Sequence, residues 1–193
     1  MKRSTERILT THVGSLIRPA ELLAAGEAAR TGDAQSQASY AAMLQSATAE
    51  VVKKQTEAGI DIVNDGEYGK SSWAAYVLDR MTGWERRPDQ LRPVEWMGRD
   101  MDRFREAILQ EMPSAVEGRP TEACIGAITY TGAGAIERDC ENLKAALAGN
   151  DVAEAFITAV APASTAYDGV DEHYQNEHDY IYAIAEALGK EYA

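Results

Sequence analysis

Between Gly59 and Tyr68 the chain runs Ile-Asp-Ile-Val-Asn-Asp-Gly-Glu, a short β-branched stretch that follows directly on a long helical pattern and breaks into polar residues at Asn64, Asp65, Gly66 and Glu67. Ile60, Ile62 and Val63 favour extended backbone, and the Asn-Asp-Gly run ends it. A strand with a polar C-terminal tip, entered from a helix, is the mark of a βαβ unit, because parallel strands need a crossover to be joined. The motif recurs along the chain. A first strand is expected at Ile8 to Val13, ending at Gly14-Ser15, with a short helix behind Pro19 that stops near Gly32. A longer helix from Ser36 to Ala58 would bury Tyr40, Leu44, Ala47, Val51 and Ala58 on one face. A third strand is expected at Ala123 to Gly132, followed by a helix over IERDCENLKAALAGN that stops at Gly149-Asn150. A fourth, Glu154 to Ser164, is broken by Pro162, and the last helix, about Glu177 to Tyr192, would turn Ile181, Ile184, Ala185, Leu188 and Tyr192 inward. From Tyr68 to Pro120 the pattern lapses into an excursion with Trp73, Trp84, Trp96 and four prolines, containing one helix at roughly Arg99 to Glu111.

Four strands, each followed by helical sequence, place the chain in the α/β class. Neither G-x-G-x-x-G nor G-x-x-x-x-G-K-[ST] occurs; Gly132 and Gly134 come nearest but lack the third glycine. Polar strand tips suit a (β/α)8 barrel, whose active site lies at the C-terminal ends of its strands. A complete TIM barrel needs about 250 residues and eight strands. The expectation is therefore a partial TIM (β/α)8-type barrel of about four βα units, with residues 1–193 as one domain.

Charge narrows the partners. Thirty-one acidic residues stand against 19 basic ones, a formal net charge of -12, which repels phosphate backbones and anionic lipid. No nucleic acid and no membrane is expected. Cys124 and Cys140 do not make a disulfide framework or a paired-cysteine zinc knuckle, and the basic N-terminus lacks a signal peptide's apolar core. A cytoplasmic protein is expected.

The segments TTHVGSLIRP, QTEAGIDIVNDGEYGK, GRDMDRFRE and AVAPASTAY, in that order, resemble the cobalamin-independent methionine synthase family. The likeness is to its C-terminal catalytic barrel and more closely to the short single-barrel relatives, with the epoxyalkane:coenzyme M transferases as further kin. The resemblance implies a TIM-like barrel in which zinc activates a thiol, such as homocysteine, for attack on a methyl or alkyl donor. A free thiol has a pKa near ~8.5, and metal binding holds it as thiolate at neutral pH. The family's zinc ligands lie in a His-x-Cys motif and a later Cys on the second half of the barrel. No His-x-Cys occurs here, so zinc is expected for the family but its ligands are not in this chain, which resembles the first half of the barrel. Methyl or alkyl transfer would then be lacking from this chain alone. The alternative is a non-catalytic, complementing half-barrel subunit that self-associates or pairs with a C-terminal-half chain.

The resemblance also assigns substrate-binding positions. Gly14 and Ser15 match residues that contact the amino acid's carboxylate, and Glu67 matches the acidic residue that binds its ammonium group. His12 and Asp65 match the shorter relatives, and Pro162, Ala163 and Ser164 match a strand tip that shapes the donor pocket. Taken alone, Glu67 reads as a helix cap and His12 as a strand-end histidine. His173 and His178 are spaced i,i+5, which does not put them on one helical face as a metal pair. Cys124, among apolar neighbours, and Cys140, among acidic ones, read as structural rather than nucleophilic.

Overall fold

The computed structural model describes residues 2–73, 75–92, 103–104, 106–107, 110 and 118–193. It divides into two compact units: Met1–Tyr76 with Gly132–Val160, and Val77–Thr131 with Ala161–Ala193. The helix expected at about Arg99 to Glu111 lies largely outside the described residues, as does Trp96.

The first unit opens with an extended segment, then two helices, α1 (Ala20–Thr31) and α2 (Ala34–Glu57). Pro19 stands at the N-cap of α1. Asp33 caps α2 by accepting the Ser36 backbone N–H, so α2 starts two residues earlier than its apolar pattern suggests. Val51 and Val52, about 100° apart on the helix, enter two different apolar clusters. Val51 joins Leu22, Leu44 and Tyr68, packed by Leu16, Tyr40 and Ala47. Val52 joins Val63, Leu143 and Ala146. Each fully buried side chain of this kind contributes about 1.5–3 kcal/mol, so α2 is held from two sides. Ala58, expected inside, is instead the exposed C-cap residue of α2.

Strand β1 (Ile62–Asn64) pairs in parallel with the strand Glu154–Phe156, and Thr11 bridges Ile62 in parallel on its other edge. Three parallel segments, at residues 11, 62 and 154, thus lie side by side in sequence order. The first is a single bridge rather than the strand expected over Ile8 to Val13. Ile8 and Val13 are exposed, and the segment is fixed at Thr10, whose carbonyl accepts from Ile62 N. Asp61 adds an anchor, accepting from Thr10 N and from the Arg7 guanidinium, and this pair holds its carboxyl well below the usual range.

The second unit carries β2 (Trp84–Arg92), antiparallel to β3 (Arg119–Cys124), which pairs in parallel with Gly169–Asp171. The strand expected over Ala123–Gly132 is therefore displaced towards the N-terminus, and its antiparallel partner β2 falls inside the expected excursion. In chain order the remaining elements are α3 (Ala133–Ala146, first unit), β4 (Glu154–Phe156, first unit), α4 (Pro162–Asp168), β5 (Gly169–Asp171) and α5 (Glu177–Tyr192). Pro162 begins α4 rather than interrupting a strand, a position its fixed φ favours. Helix α5 buries Tyr180, Ile184, Ala187, Leu188 and Glu191, leaving Tyr192 exposed. The inward face is displaced from the expected one because Glu191 is buried in an ion pair with Arg80, 2.5 Å away.

The architecture is mixed α/β. Among the described residues there is no closed barrel, and the parallel run comprises three segments rather than four. No described helix is long and apolar enough to cross a membrane.

Candidate functional site

The polar tip of β1 is fastened by hydrogen bonds from several segments of the first unit. Asn64, fully buried, exchanges hydrogen bonds with Gln55 of α2: its N–H donates to Oε1 at 3.1 Å and its carbonyl accepts from Nε2 at 2.7 Å. Its side chain donates to the His12 carbonyl at 2.5 Å and accepts from Gly66 N at 2.8 Å. Gly66 and Glu67 both adopt positive φ, +65° and +59°. A left-handed glutamate costs roughly 1–2 kcal/mol, because its Cβ crowds the backbone. Such strain persists only where the surroundings over-determine it.

Here the surroundings do so. Arg18 donates from Nη2 to the carbonyls of Glu67 (2.7 Å) and Lys70 (3.0 Å), Leu16 N donates to Gly66 O, and Tyr68 Oη donates to Ile17 O. These bonds seat the 64–70 turn on the segment after Thr11.

The result is a carboxylate held between hydroxyls. Ser15 donates to Glu67 Oε2 at 2.5 Å, and Thr158, just beyond β4, donates to Oε1 at 2.8 Å. Glu67 is 4% exposed, whereas Ser15, on its Oε2 side, is exposed. Lys70 donates to both the Thr158 hydroxyl (2.8 Å) and its carbonyl, and its Nζ stands 4.8 Å from the centre of the Tyr76 ring. Asp65, equally buried, accepts from Glu67 N at 3.1 Å. Burial pushes its carboxyl up, with Asp139 and Glu67 adding to the rise and Lys70 opposing it.

Of the expected site residues, Ser15 and Glu67 are in direct contact and Asp65 lies in the same turn. Gly14 takes φ +103° beside Ser15, where a Cβ would meet nothing within 4 Å; backbone conformation, not space, selects glycine. His12 is half-buried. Its Nε2 is shielded from solvent and has no hydrogen-bond partner among the described residues. Glu67 does not cap a helix. Pro162, Ala163 and Ser164 lie on α4 in the second unit. His173 and His178 are exposed.

Lys70, Thr158 and Arg18 were not marked by sequence reasoning. Lys70 could have been, since it falls three residues after Glu67 and closes that turn with its own N–H. Thr158, a single hydroxyl in an apolar run, carries no local signal.

No group of three or more His, Cys, Asp or Glu that could hold a metal ion exists among the described residues. Burial pushes the Cys124 thiol up, away from the thiolate a metal would need, and Cys140 sits on α3 in the other unit. The residues present do not fit a zinc site.

No protein-family model matches the sequence, and no curated protein does. Solved structures do match. A B12-independent methionine synthase from Shewanella sp. W3-18-1, in complex with selenomethionine, superposes with a TM-score of 0.59 at 15% identity, over 95% of this chain and 46% of its own. A Listeria monocytogenes protein provisionally described as a vitamin-B12 independent methionine synthase gives a TM-score of 0.59 at 22% identity, over 96% of this chain and 50% of its own. The chain spans about half the length of the solved chains it matches, and its fold is that of about half a B12-independent methionine synthase.

Proposed function

We propose that this chain carries the amino-acid-binding wall of a methionine-synthase-like transferase, one that passes a methyl or alkyl group to a thiol such as homocysteine. The observation that carries this reading is Glu67, a buried carboxylate on a left-handed backbone, held at Oε1 by the Thr158 hydroxyl and at Oε2 by that of exposed Ser15. A carboxylate with acceptor capacity left on Oε2, next to a second buried acid, is suited to a ligand ammonium group. Ser15, whose hydroxyl proton goes to Oε2, and Gly14 with its left-handed backbone form the exposed side of that carboxylate. These residues bind and orient an amino acid. The zinc of the resembled family has no fitting ligand set here, and thiol activation is not assigned to these residues.

The test is calorimetric titration with L-homocysteine and L-methionine. A charge-assisted hydrogen bond is worth about 1.5–3 kcal/mol, so Glu67→Gln should weaken binding by roughly 10- to 100-fold while the fold is retained. Equal affinity in the two proteins would remove Glu67 from any ligand site.

A second reading, as a complementing subunit, is favoured by one observation. The outer edge of β4 has no strand partner among the described residues, and an open edge invites pairing. If the chain pairs with a second copy of itself, light scattering over a concentration series should show a dimer or larger species, and a monomer throughout would end self-association while leaving pairing with a C-terminal-half chain.

A further inference from the structure

We propose that Lys70 is a positioning residue for the Glu67 carboxylate, acting through the hydroxyl of Thr158. The inference rests on the reading that Glu67 receives a ligand ammonium, and it concerns how that carboxylate is aimed. The hydrogen-bond chemistry is directional. An ammonium can only donate, so in the contact between Lys70 Nζ and Thr158 Oγ1 the hydroxyl oxygen is the acceptor. An ionised carboxylate can only accept, so in the contact between Thr158 Oγ1 and Glu67 Oε1 the hydroxyl is the donor. With Lys70 in place, Thr158 has one proton and one direction in which to send it.

Lys70 itself is confined. It is 4% exposed, and it is held by the Thr158 carbonyl, the Thr158 hydroxyl and the face of Tyr76, whose own Oη accepts from Val160 N. The relay therefore runs from a buried cation, through an oriented hydroxyl, to the inner oxygen of Glu67. Oε1 is turned to Thr158. Oε2 accepts from exposed Ser15 and keeps acceptor capacity beside it, so a ligand cation is to be met on the Ser15 side.

Two measurements test this, one without ligand. In isotope-labelled protein the Thr158 hydroxyl proton should be slow to exchange and visible by NMR, with cross-relaxation to the Glu67 side chain. It should vanish in Lys70→Met and persist in Lys70→Arg. A hydroxyl proton still protected in Lys70→Met overturns the relay, whatever the ligand results. The second readout is L-methionine affinity. Lys70→Met and Thr158→Val should each weaken binding about 10-fold, the double variant no further, and Lys70→Met should change nothing in a Glu67→Gln background. Additive losses, or an undiminished Lys70 effect without Glu67, overturn the positioning role. Thr158→Val, checked for native circular dichroism, keeps the test decisive if Lys70→Met does not fold. If wild type and Glu67→Gln bind methionine equally, the ligand reading fails, and the hydroxyl signal still decides the relay.

Discussion

Gln55, on the last turn of α2, satisfies both backbone groups of Asn64 at the end of β1, accepting its N–H and donating to its carbonyl. The helix thus carries in its own side chain the hydrogen bonds that a neighbouring strand would otherwise supply. Gln55→Leu keeps the volume and leaves two buried backbone groups unpaired. At about 1–3 kcal/mol for each orphaned group, a loss of roughly 2–6 kcal/mol is expected in urea denaturation. A loss below ~1 kcal/mol would mean that water or a local shift replaces the amide.

At position 67 the usual ranking of glycine and alanine should invert. Alanine is ordinarily the more stable of the two, but at φ +59° its Cβ is strained and glycine is not. Glu67→Gly should be more stable than Glu67→Ala by about 1 kcal/mol in urea midpoints. Equal stabilities would show that the backbone relaxes once the side chain is gone.

Asp65 supplies a pH-dependent cost. Its carboxyl is raised above the ordinary value near ~3.9, so the folded state favours the protonated form. Its contribution to stability is then fully present below about pH 4 and is lost as pH rises through the folded value. Asp65→Asn removes that cost, and the variant's advantage over wild type should grow between pH 4 and pH 8. A difference flat across that range would count against burial as the dominant cause. The same substitution should weaken L-methionine binding, trading affinity for stability.

Gly69 marks a close approach. A Cβ there would fall 2.6 Å from Oδ1 of Asp139, itself buried and paired with Arg138. Gly69→Ala should cost about 1–3 kcal/mol as an overpacking change. Gly134→Ala, in α3 with nothing within 4 Å of the new Cβ, should stabilise by about 0.5–1 kcal/mol. Thermal denaturation of the two variants in parallel separates sterics from propensity.

The buried pair Arg80 and Glu191 should behave asymmetrically. Each side chain is almost fully enclosed, and Tyr130 also donates to Glu191. Glu191→Leu takes the carboxylate away from a buried guanidinium and should cost about 3–5 kcal/mol, whereas joining it with Arg80→Met should recover most of the loss. A double variant no better than the single would show that the pair is held for more than its own neutralisation.

The sequence carried those elements whose signal is local. The β-branched run at 60–63 breaking into Asn-Asp-Gly located β1 and its turn, and the Pro19 and Gly32 boundaries located α1. Misplacements came where tertiary pairing decides. Ile8 to Val13 has strand composition but gains only one bridge, at Thr11. Trp84 to Arg92, charged and containing Pro88, becomes a strand because Arg119–Cys124 lies antiparallel to it. Helix α5 turns Glu191 inward because a distant arginine neutralises it, which no hydrophobic periodicity can report. The site divides the same way. Ser15 and Glu67 sit in recognisable turns, whereas Thr158 becomes part of it only through the parallel pairing of β1 with β4.

Thr158 follows Glu67 by 91 residues, and residues 77–131, which belong to the other compact unit, are made in between. At a synthesis rate of about 5–20 residues per second, Glu67 leaves the ribosome on the order of 5–20 s before the hydroxyl that holds its inner oxygen. Through that interval the nascent chain can seat the turn on Ser15 and Arg18 but cannot orient the carboxylate. Completion of the site is thus timed by translation, and a pause within 77–131 would prolong the interval in which a nascent acidic turn stands without its final partner.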